Sequence, residues 1–250
     1  MAHVIYFANP AGAAQEEMVA GRLGFIDTPE QGNIRPDGVI WCADNGKFSK
    51  SRAEKGTPWD EDGWWRFLVK HAGDADSCAF ATAPDVVHWV PDGKGDLVPV
   101  GDAAATLVES AKWYDKIHGL GFKVALVAQD GLDPDDVPWD KIDAIFVGGS
   151  DDYKVGTAPP PRVRPLRLDG SPWGRPGCID VIREARRRGK WVHIGRVNSQ
   201  SRYRFAVMVG ADSVDGTYLV SAPDENLPKL MSWLDEDYEV GVQSDYALAA

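Results

Sequence analysis

The stretch Val209-Gly-Ala-Asp-Ser-Val-Asp-Gly-Thr-Tyr218 is the part of the sequence on which the fold prediction depends. It follows a predicted helix over residues 201–209 and holds two acids three residues apart, Asp212 and Asp215. Gly216 then lets the chain turn sharply without a Cβ clash. Such a stretch is typical of a short strand that ends in a carboxylate, although Asp and Gly also form ordinary turns. The rest of the chain decides between these two interpretations.

Six other short apolar runs end in polar or glycine-containing segments in the same way. They are predicted strands at residues 4–8, 39–43, 78–83, 123–128, 144–147 and 191–194. Apolar strands that alternate with helical segments indicate a parallel sheet that is buried on both faces. With a short eighth strand at 218–220, the series predicts one (β/α)8 barrel domain, TIM-like, over residues 1–250. An open doubly wound sheet is the alternative, but no GxGxxG follows the first strand.

Three segments rich in polar residues, glycine or proline are predicted to be loop excursions from this barrel. They cover residues 49–59, 86–101 and 156–177. Asp102 is a good N-cap for a helix that runs to about Gly119. The third excursion carries a cluster of three arginines and is too long for a plain connection, which is typical of functional loops.

The composition is that of a globular protein, and its net negative charge does not favour nonspecific electrostatic binding to nucleic acid. The chain has 250 residues, 44% hydrophobic and 26% charged, and a formal net charge of −11. Nonspecific binding to phosphate backbones depends on clustered cations, which this balance does not favour. Three widely separated cysteines argue against a disulfide framework and against a CxxC metal site, so we expect reduced thiols and a cytoplasmic setting. No apolar run approaches the roughly 20 residues of a membrane span, so no membrane partner is expected.

In a barrel of this type, the carboxyl ends of all strands face one site. Read in chain order, those ends supply Asp44, Asp85, Gln129, Gly148-Gly149, Gly195 and Asp215. Carboxylates, an amide and bare backbone together suit the donor and acceptor edge of a purine, because glycine lets backbone amides approach closely.

Six short motifs then resemble the tRNA-guanine transglycosylases, and more closely the phage-type relatives that put 7-deazaguanines into DNA. Asp44-Asn-Gly-Lys-Phe48 is similar to the family's Asp-Ser-Gly-Gly-aromatic motif, and Pro84-Asp85 to its third-strand acid. Val127-Ala-Gln-Asp-Gly131 and Phe146-Val-Gly-Gly-Ser150 resemble the Val-Gln-Gly and Val-Gly-Gly motifs. Further motifs of the same series are His193-Ile-Gly195, which resembles Leu-Met-Gly, and Gly210-Ala-Asp-Ser-Val-Asp-Gly216, which resembles Gly-x-Asp-x-Phe-Asp-Cys.

The resemblance implies a role for each of these residues. Asp215 would be the nucleophile and Asp44 the acid/base residue. Phe48 and Ile194 would cover the two faces of the base. The remaining residues would bind its edge or approach it through backbone, namely Asp85, Gln129, Gly148, Gly149 and Gly195.

The resemblance also implies the substrates: guanine in DNA and a free 7-deazaguanine base such as preQ0. The family's zinc site of three Cys and one His is missing, so we expect no metal and no cofactor. Because the chain is shorter than the tRNA-modifying members, DNA is favoured over tRNA, with an accessory DNA-binding protein supplying the basic surface that this acidic chain lacks. The alternatives are exchange in tRNA, hydrolysis of N-glycosidic bonds, and a non-catalytic barrel that binds a nucleobase or nucleic acid.

Individual residues also have structural interpretations. Asp44 and Asp85 are both suited to capping turns, and Asp130 competes with Gln129 for the amide's role. Asp212 is the alternative nucleophile. His193 lies within an apolar strand and is expected to be a hydrogen-bonded core residue.

Overall fold

The computed structural model describes residues 4–9, 12–155 and 177–240. The strands are β1 (Ile5–Ala8), β2 (Leu23–Asp27), β3 (Trp41–Ala43), β4 (Cys78–Thr82), β5 (Val87–Pro91), β6 (Leu97–Gly101), β7 (Val124–Ala128), β8 (Ala144–Val147), β9 (Trp191–Ile194) and β10 (Ser213–Asp215). Eight parallel strands close into a barrel in the order β1-β10-β9-β8-β7-β4-β3-β2, and β5 and β6 form a separate antiparallel hairpin. The predicted (β/α)8 barrel is therefore confirmed.

Helices lie between the barrel strands and cover the outside of the barrel. They are α1 (Ala13–Val19), α2 (Lys50–Lys55), α3 (Glu61–His71), α4 (Ala103–Ala111), α5 (Tyr114–Gly119), α6 (Asp151–Val155), α7 (Ile179–Arg187), α8 (Gln200–Met208) and α9 (Pro223–Val240). Asp102 caps α4 as predicted, because its carboxylate accepts a hydrogen bond from the N–H of Ala105 at 2.9 Å. In the described part of the chain, no helix has both the length and the apolar character needed to cross a bilayer.

The eighth strand is not the one predicted from the sequence. Residues 218–220 lie in a turn after β10, and β2 between β1 and β3 completes the barrel. Gly24 in the middle of β2 weakens the apolar pattern that would have marked a strand. The glycine is required there because a Cβ at this position would lie 2.3 Å from the ring of Phe7.

Two of the predicted loop excursions contain regular structure. The 49–59 segment holds α2, which Ser49 caps by accepting a hydrogen bond from the N–H of Arg52 at 3.3 Å. The 86–101 segment is the β5–β6 hairpin, in which Trp89 pairs with Pro99. The third excursion, 156–177, lies outside the described residues except for its last position.

Strand alternation divides the apolar side chains into two cores. The smaller core fills the barrel and comprises Phe7, Ile26, Cys42, Ala79, Phe80, Ala125 and Ala144. The larger core lies between the barrel and the helices and includes Tyr6, Trp41, Trp64 and Ile145. A residue that follows an inward-facing position by two therefore points into the barrel again, which brings the last residues of several strands to its mouth.

Candidate functional site

Asp44 and Asp215 lie at the mouth of the barrel, where the charge of Asp215 acts on Asp44. Asp44 follows the inward-facing Cys42 by two residues, and Asp215 is the last residue of β10. Burial, and after it the negative charges of Asp215 and Asp85, together raise the pKa of Asp44 from 3.8 to about 7. A carboxyl group with this pKa exists in both protonation states near neutral pH, which suits an acid/base residue.

The carboxylate of Asp215 is held by hydrogen bonds on both oxygens. His193 Nε2 lies 2.8 Å from Oδ2, and the backbone N–H of Arg196 donates to Oδ1 at 3.3 Å. Gly195 makes this approach feasible, since a Cβ there would lie 3.2 Å from Oδ2 and 2.7 Å from the ring of Phe146. The two acids at the mouth thus have different surroundings: burial dominates at Asp44, and hydrogen-bond partners hold both oxygens of Asp215.

A second buried polar group joins Asp85, Gln129 and Asn45. Gln129 Nε2 donates to Asp85 Oδ2 at 2.6 Å, and Asn45 Nδ2 donates to Oδ1 at 3.1 Å. All three side chains are buried. Asn45 is fixed in turn by bonds from its amide to Ala83 O at 3.0 Å and from the N–H of Lys47 to its own Oδ1 at 2.8 Å.

Lys47, which stands where the resembling family has a glycine, acts on this buried group. Burial raises the pKa of Asp85, and the positive charge of Lys47 is the strongest opposing influence. The ammonium group also lies 4.7 Å from the centre of the Trp59 ring, whose indole N–H donates to Asn45 O at 2.9 Å. The positive charge of Lys47 thus partly offsets the effect of burial on Asp85.

Bare backbone surrounds the amide of Gln129 on two sides. A Cβ at Gly148 would lie 3.5 Å from Gln129 Oε1, and a Cβ at Gly101 would lie 2.0 Å from it. Gly148 directly follows the sixth barrel strand, β8, whereas Gly101 is the last residue of the hairpin. The hairpin thus packs over the mouth next to the amide, an arrangement that only glycine permits.

Phe48 lies above the mouth between an aromatic ring and a cation. Its ring centre is 5.2 Å from that of Trp89 in the hairpin and 4.7 Å from the guanidinium carbon of Arg196. The side chain is 45% exposed, so part of the ring remains open to solvent. The guanidinium of Arg196 also donates to the carbonyl oxygen of Gly149, which ties Phe48 to the backbone after β8.

Arg196 and Lys154, two cationic residues next to Gly195, differ from ordinary surface cations in backbone conformation and in burial. Arg196 has a φ of 61° although it is not glycine, a conformation that costs free energy and is most often found at functional sites. Lys154 is only 4% exposed, and burial lowers its pKa to about 7. Its Nζ donates to Gly195 O at 3.2 Å, so it supports the loop that carries Gly195 and Arg196.

Three of the residues considered from the sequence lie elsewhere. Ile194 packs in the core between barrel and helices, on the opposite face of β9 from His193, so the structure does not bring it to the carboxylates as expected. Asp212 lies at the start of β10, where Oδ2 accepts from the N–H of Val192 at 2.7 Å, and its role is structural. Asp130 accepts hydrogen bonds from the N–H and hydroxyl of Ser150 at 2.6 and 2.5 Å, which leaves Gln129 as the amide that meets Asp85.

Several members of this site were not predicted from the sequence. Asn45, Trp89, Lys154 and Arg196 were not singled out, Lys47 was noted only as a departure from the family's motif, and His193 was expected to be a core residue. The buried environment of His193 agrees with that expectation, but its partner is Asp215. Strand alternation was the signal in the sequence that could have identified His193, because it precedes Gly195 by two residues and therefore lies on the same face of the strand.

The described residues contain no group of three or more His, Cys, Asp or Glu side chains placed to hold a metal ion. Cys42, Cys78 and Cys178 are free and buried.

Comparison with known proteins bears on the fold. No family model and no curated protein matches the chain. A chain in the crystal structure of the Amycolatopsis orientalis BexX/CysO complex is similar with a TM-score of 0.52 and 15% identity, covering 97% of this chain and 92% of that chain. A chain of M. tuberculosis tryptophan synthase has a TM-score of 0.46 and 11% identity over 94% of this chain and 90% of its own. A mandelate oxidase variant with an FMN adduct has a TM-score of 0.46 and 14% identity, over 92% and 67% of the two chains. At such identities the first of these likenesses supports a shared fold and carries nothing about activity.

Proposed function

We propose that the protein is a base-exchange pentosyltransferase that replaces guanine in DNA with a free 7-deazaguanine through a covalent aspartyl-glycosyl intermediate. The observation that carries the proposal is the pair of acids at the mouth: Asp44 has a pKa raised to about 7, and Asp215 accepts a hydrogen bond from the N–H of Arg196 and lies 2.8 Å from His193 Nε2. Exchange at C1′ of a nucleoside needs one group that donates and accepts a proton and one that stays an anion to attack.

In the first half of the reaction, an oxygen of Asp215 forms a bond to C1′ as the bond from C1′ to N9 breaks. The electron pair of the broken bond goes to guanine, and Asp44 supplies the proton that makes the departing base neutral. In the second half, Asp44 takes the N9 proton of the incoming 7-deazaguanine, whose N9 attacks C1′ and releases Asp215. This chemistry parallels that of retaining glycosidases, in which a carboxylate forms the glycosyl-enzyme.

The buried group around Asp85 supplies recognition of a guanine-like edge. The two oxygens of a carboxylate offer about four acceptor positions, and Asn45 and Gln129 each use one. The remaining positions suit the N1–H and amino group of guanine, whereas the second N–H of the Gln129 amide suits its O6. A base bound there would lie beneath the exposed ring of Phe48, on which it would stack.

The target base has to leave the DNA stack before C1′ and the base edge are accessible. DNA rather than tRNA is favoured because the chain resembles the phage-type relatives. With a net charge of −11, the protein would rely on an accessory DNA-binding protein for affinity. A reducing cytoplasm suits its three free, buried cysteines.

The proposal is tested by incubating the protein with guanine-containing DNA and radiolabelled guanine or preQ0. Asp215→Asn and Asp44→Asn remove the two acids, and Asp212→Asn is the matched control because it makes the same change at the structural end of β10. We expect label in DNA with the parent and the control. We expect none with Asp215→Asn, and about 10²–10⁴-fold slower incorporation with Asp44→Asn.

Three other results would change the assignment. Release of free guanine without incorporation would indicate hydrolysis. Incorporation into tRNA and not into DNA would indicate that the substrate is tRNA. Neither release nor incorporation, with DNA, with tRNA and with cell extract as a source of partner protein, would contradict an exchange activity and favour a binding role.

A further inference from the structure

A chain of hydrogen bonds runs through the barrel to Asp215. The indole N–H of Trp191 donates to Ser213 Oγ at 2.8 Å, Ser213 Oγ lies 2.8 Å from His193 Nδ1, and His193 Nε2 lies 2.8 Å from Asp215 Oδ2. Ser213 and His193 are completely buried. The two strands are aligned so that Ser213 pairs directly with His193, which sets the distances.

The donors and acceptors of this chain fix which ring nitrogen carries the proton. An indole N–H can only donate, so Ser213 Oγ accepts from Trp191 and has one hydrogen left to give. Its acceptor within the described part of the chain is Nδ1 of His193, which is therefore unprotonated, so Nε2 carries the hydrogen and donates to Asp215. The opposite tautomer would leave the buried serine hydrogen without an acceptor and set two acceptors, Nε2 and the carboxylate, against each other.

The imidazole is held in place by aromatic rings rather than by other polar groups. Its ring centre lies 4.4 Å from that of Phe146, 5.1 Å from that of Phe80 and 6.0 Å from that of Phe7. Surroundings of this kind exclude water and strengthen each hydrogen bond in the chain. Gly195 supplies the space in which the imidazole and the carboxylate meet.

We propose that His193 is a positioning residue that anchors Oδ2 of Asp215 through an Nε2–H donor and so leaves Oδ1 as the attacking oxygen. The inference rests on the proposed function for the step at C1′. Oδ1 has one donor in the described structure, the N–H of Arg196 at 3.3 Å, which is the longer and weaker bond. A lone pair of Oδ1 forms the bond to C1′, the pair from the C1′–N9 bond goes to guanine with the proton of Asp44, and His193 keeps its proton throughout.

Two substitutions of similar size separate positioning from packing. His193→Leu suits the aromatic surroundings but has no donor, whereas His193→Gln keeps an N–H that can reach Asp215. A hydrogen bond to a charged group is worth enough to make the single-turnover rate of guanine release fall about 10- to 100-fold in His193→Leu. We expect a smaller loss in His193→Gln and KM for the free base unchanged in both. Equal rates in the two variants, or parent-like activity in His193→Leu, would overturn the positioning role.

A second measurement does not depend on activity. The nitrogen-15 NMR shifts of the His193 ring in the full chain report directly which nitrogen is protonated. We expect the Nε2–H form in the parent; the Nδ1–H form, or a doubly protonated ring, would overturn the assignment. If the protein exchanges no base and yet shows the Nε2–H form, the proposed function fails while the anchoring of Asp215 stands. If it exchanges base and shows the other form, the anchoring fails alone.

Discussion

Replacement of Asp44 by asparagine is expected to stabilise the protein above neutral pH while it slows the chemistry. Folding moves the pKa of this carboxyl group from 3.8 to about 7, mainly through burial and then through the charges of Asp215 and Asp85. The folded state therefore holds a proton at Asp44 that the unfolded chain releases between these two values. Its contribution to stability is present below pH 3.8 and is lost as the pH rises through the folded pKa.

The size of the effect follows from the pKa shift. About three pKa units correspond to about 4 kcal/mol at 1.36 kcal/mol each, which is an upper limit. Asp44 is partly accessible, so solvent screening reduces the expected difference to about 1–3 kcal/mol above pH 7. For a chain of this length, this is a rise in Tm of about 2–12 °C.

Urea unfolding of the parent and of Asp44→Asn over a range of pH measures this difference. We expect the two curves to lie close together at low pH and to separate as the pH approaches 7, with the variant the more stable. Asp37→Asn removes one carboxylate from an exposed loop and controls for the change in net charge. A difference that does not depend on pH, or a variant that is less stable at about pH 8, would refute the assignment of a protonated Asp44.

Three further substitutions test the roles of neighbouring residues. Asp212→Ala should lower the free energy of unfolding by about 1–3 kcal/mol in urea, because the partly buried N–H of Val192 loses its acceptor. In the exchange assay the same variant should keep the activity that Asp215→Asn abolishes. The reverse pattern would make Asp212 the nucleophile and Asp215 the structural residue. Gly195→Ala would place a Cβ 3.2 Å from Oδ2 of Asp215 and 2.7 Å from the ring of Phe146. We expect the exchange rate to fall about 100-fold or more and the free energy of unfolding to fall by about 1–3 kcal/mol. Parent-like exchange would show that the close approach is dispensable. Asn45→Ala removes a donor to Asp85 and should weaken binding of free guanine about 10-fold by calorimetry, whereas unchanged affinity would detach Asp85 from base recognition.

The barrel was predictable from the sequence because parallel strands that are buried on both faces consist of short apolar runs, and these runs end here in polar residues. The exception was β2, whose central Gly24 breaks the pattern. A glycine is needed at this position because Phe7 on the neighbouring strand leaves no room for a Cβ, and the two residues are 17 positions apart in the sequence. Local patterns carry no information about such a contact.

The candidate site divides in the same way. The positions of Asp44, Gln129 and Asp215 at the mouth follow from where their strands end, and strand ends are visible in the sequence. The bonds from His193 to Asp215 and from Asn45 to Asp85 depend on the alignment of neighbouring strands, which the sequence does not state. The position of the hairpin over the mouth was hidden for a similar reason, since its glycines and prolines indicate a loop when read alone.

The central claim is that Asp215 becomes covalently attached to the sugar of its substrate. Mixing the protein with guanine-containing DNA, quenching with denaturant and measuring mass by peptide mapping would detect this attachment. The account predicts a protein–DNA adduct on the peptide that carries Asp215, present in Asp212→Asn, absent in Asp215→Asn and removed by added free base. Base exchange without any adduct, or an adduct on another residue, would contradict it.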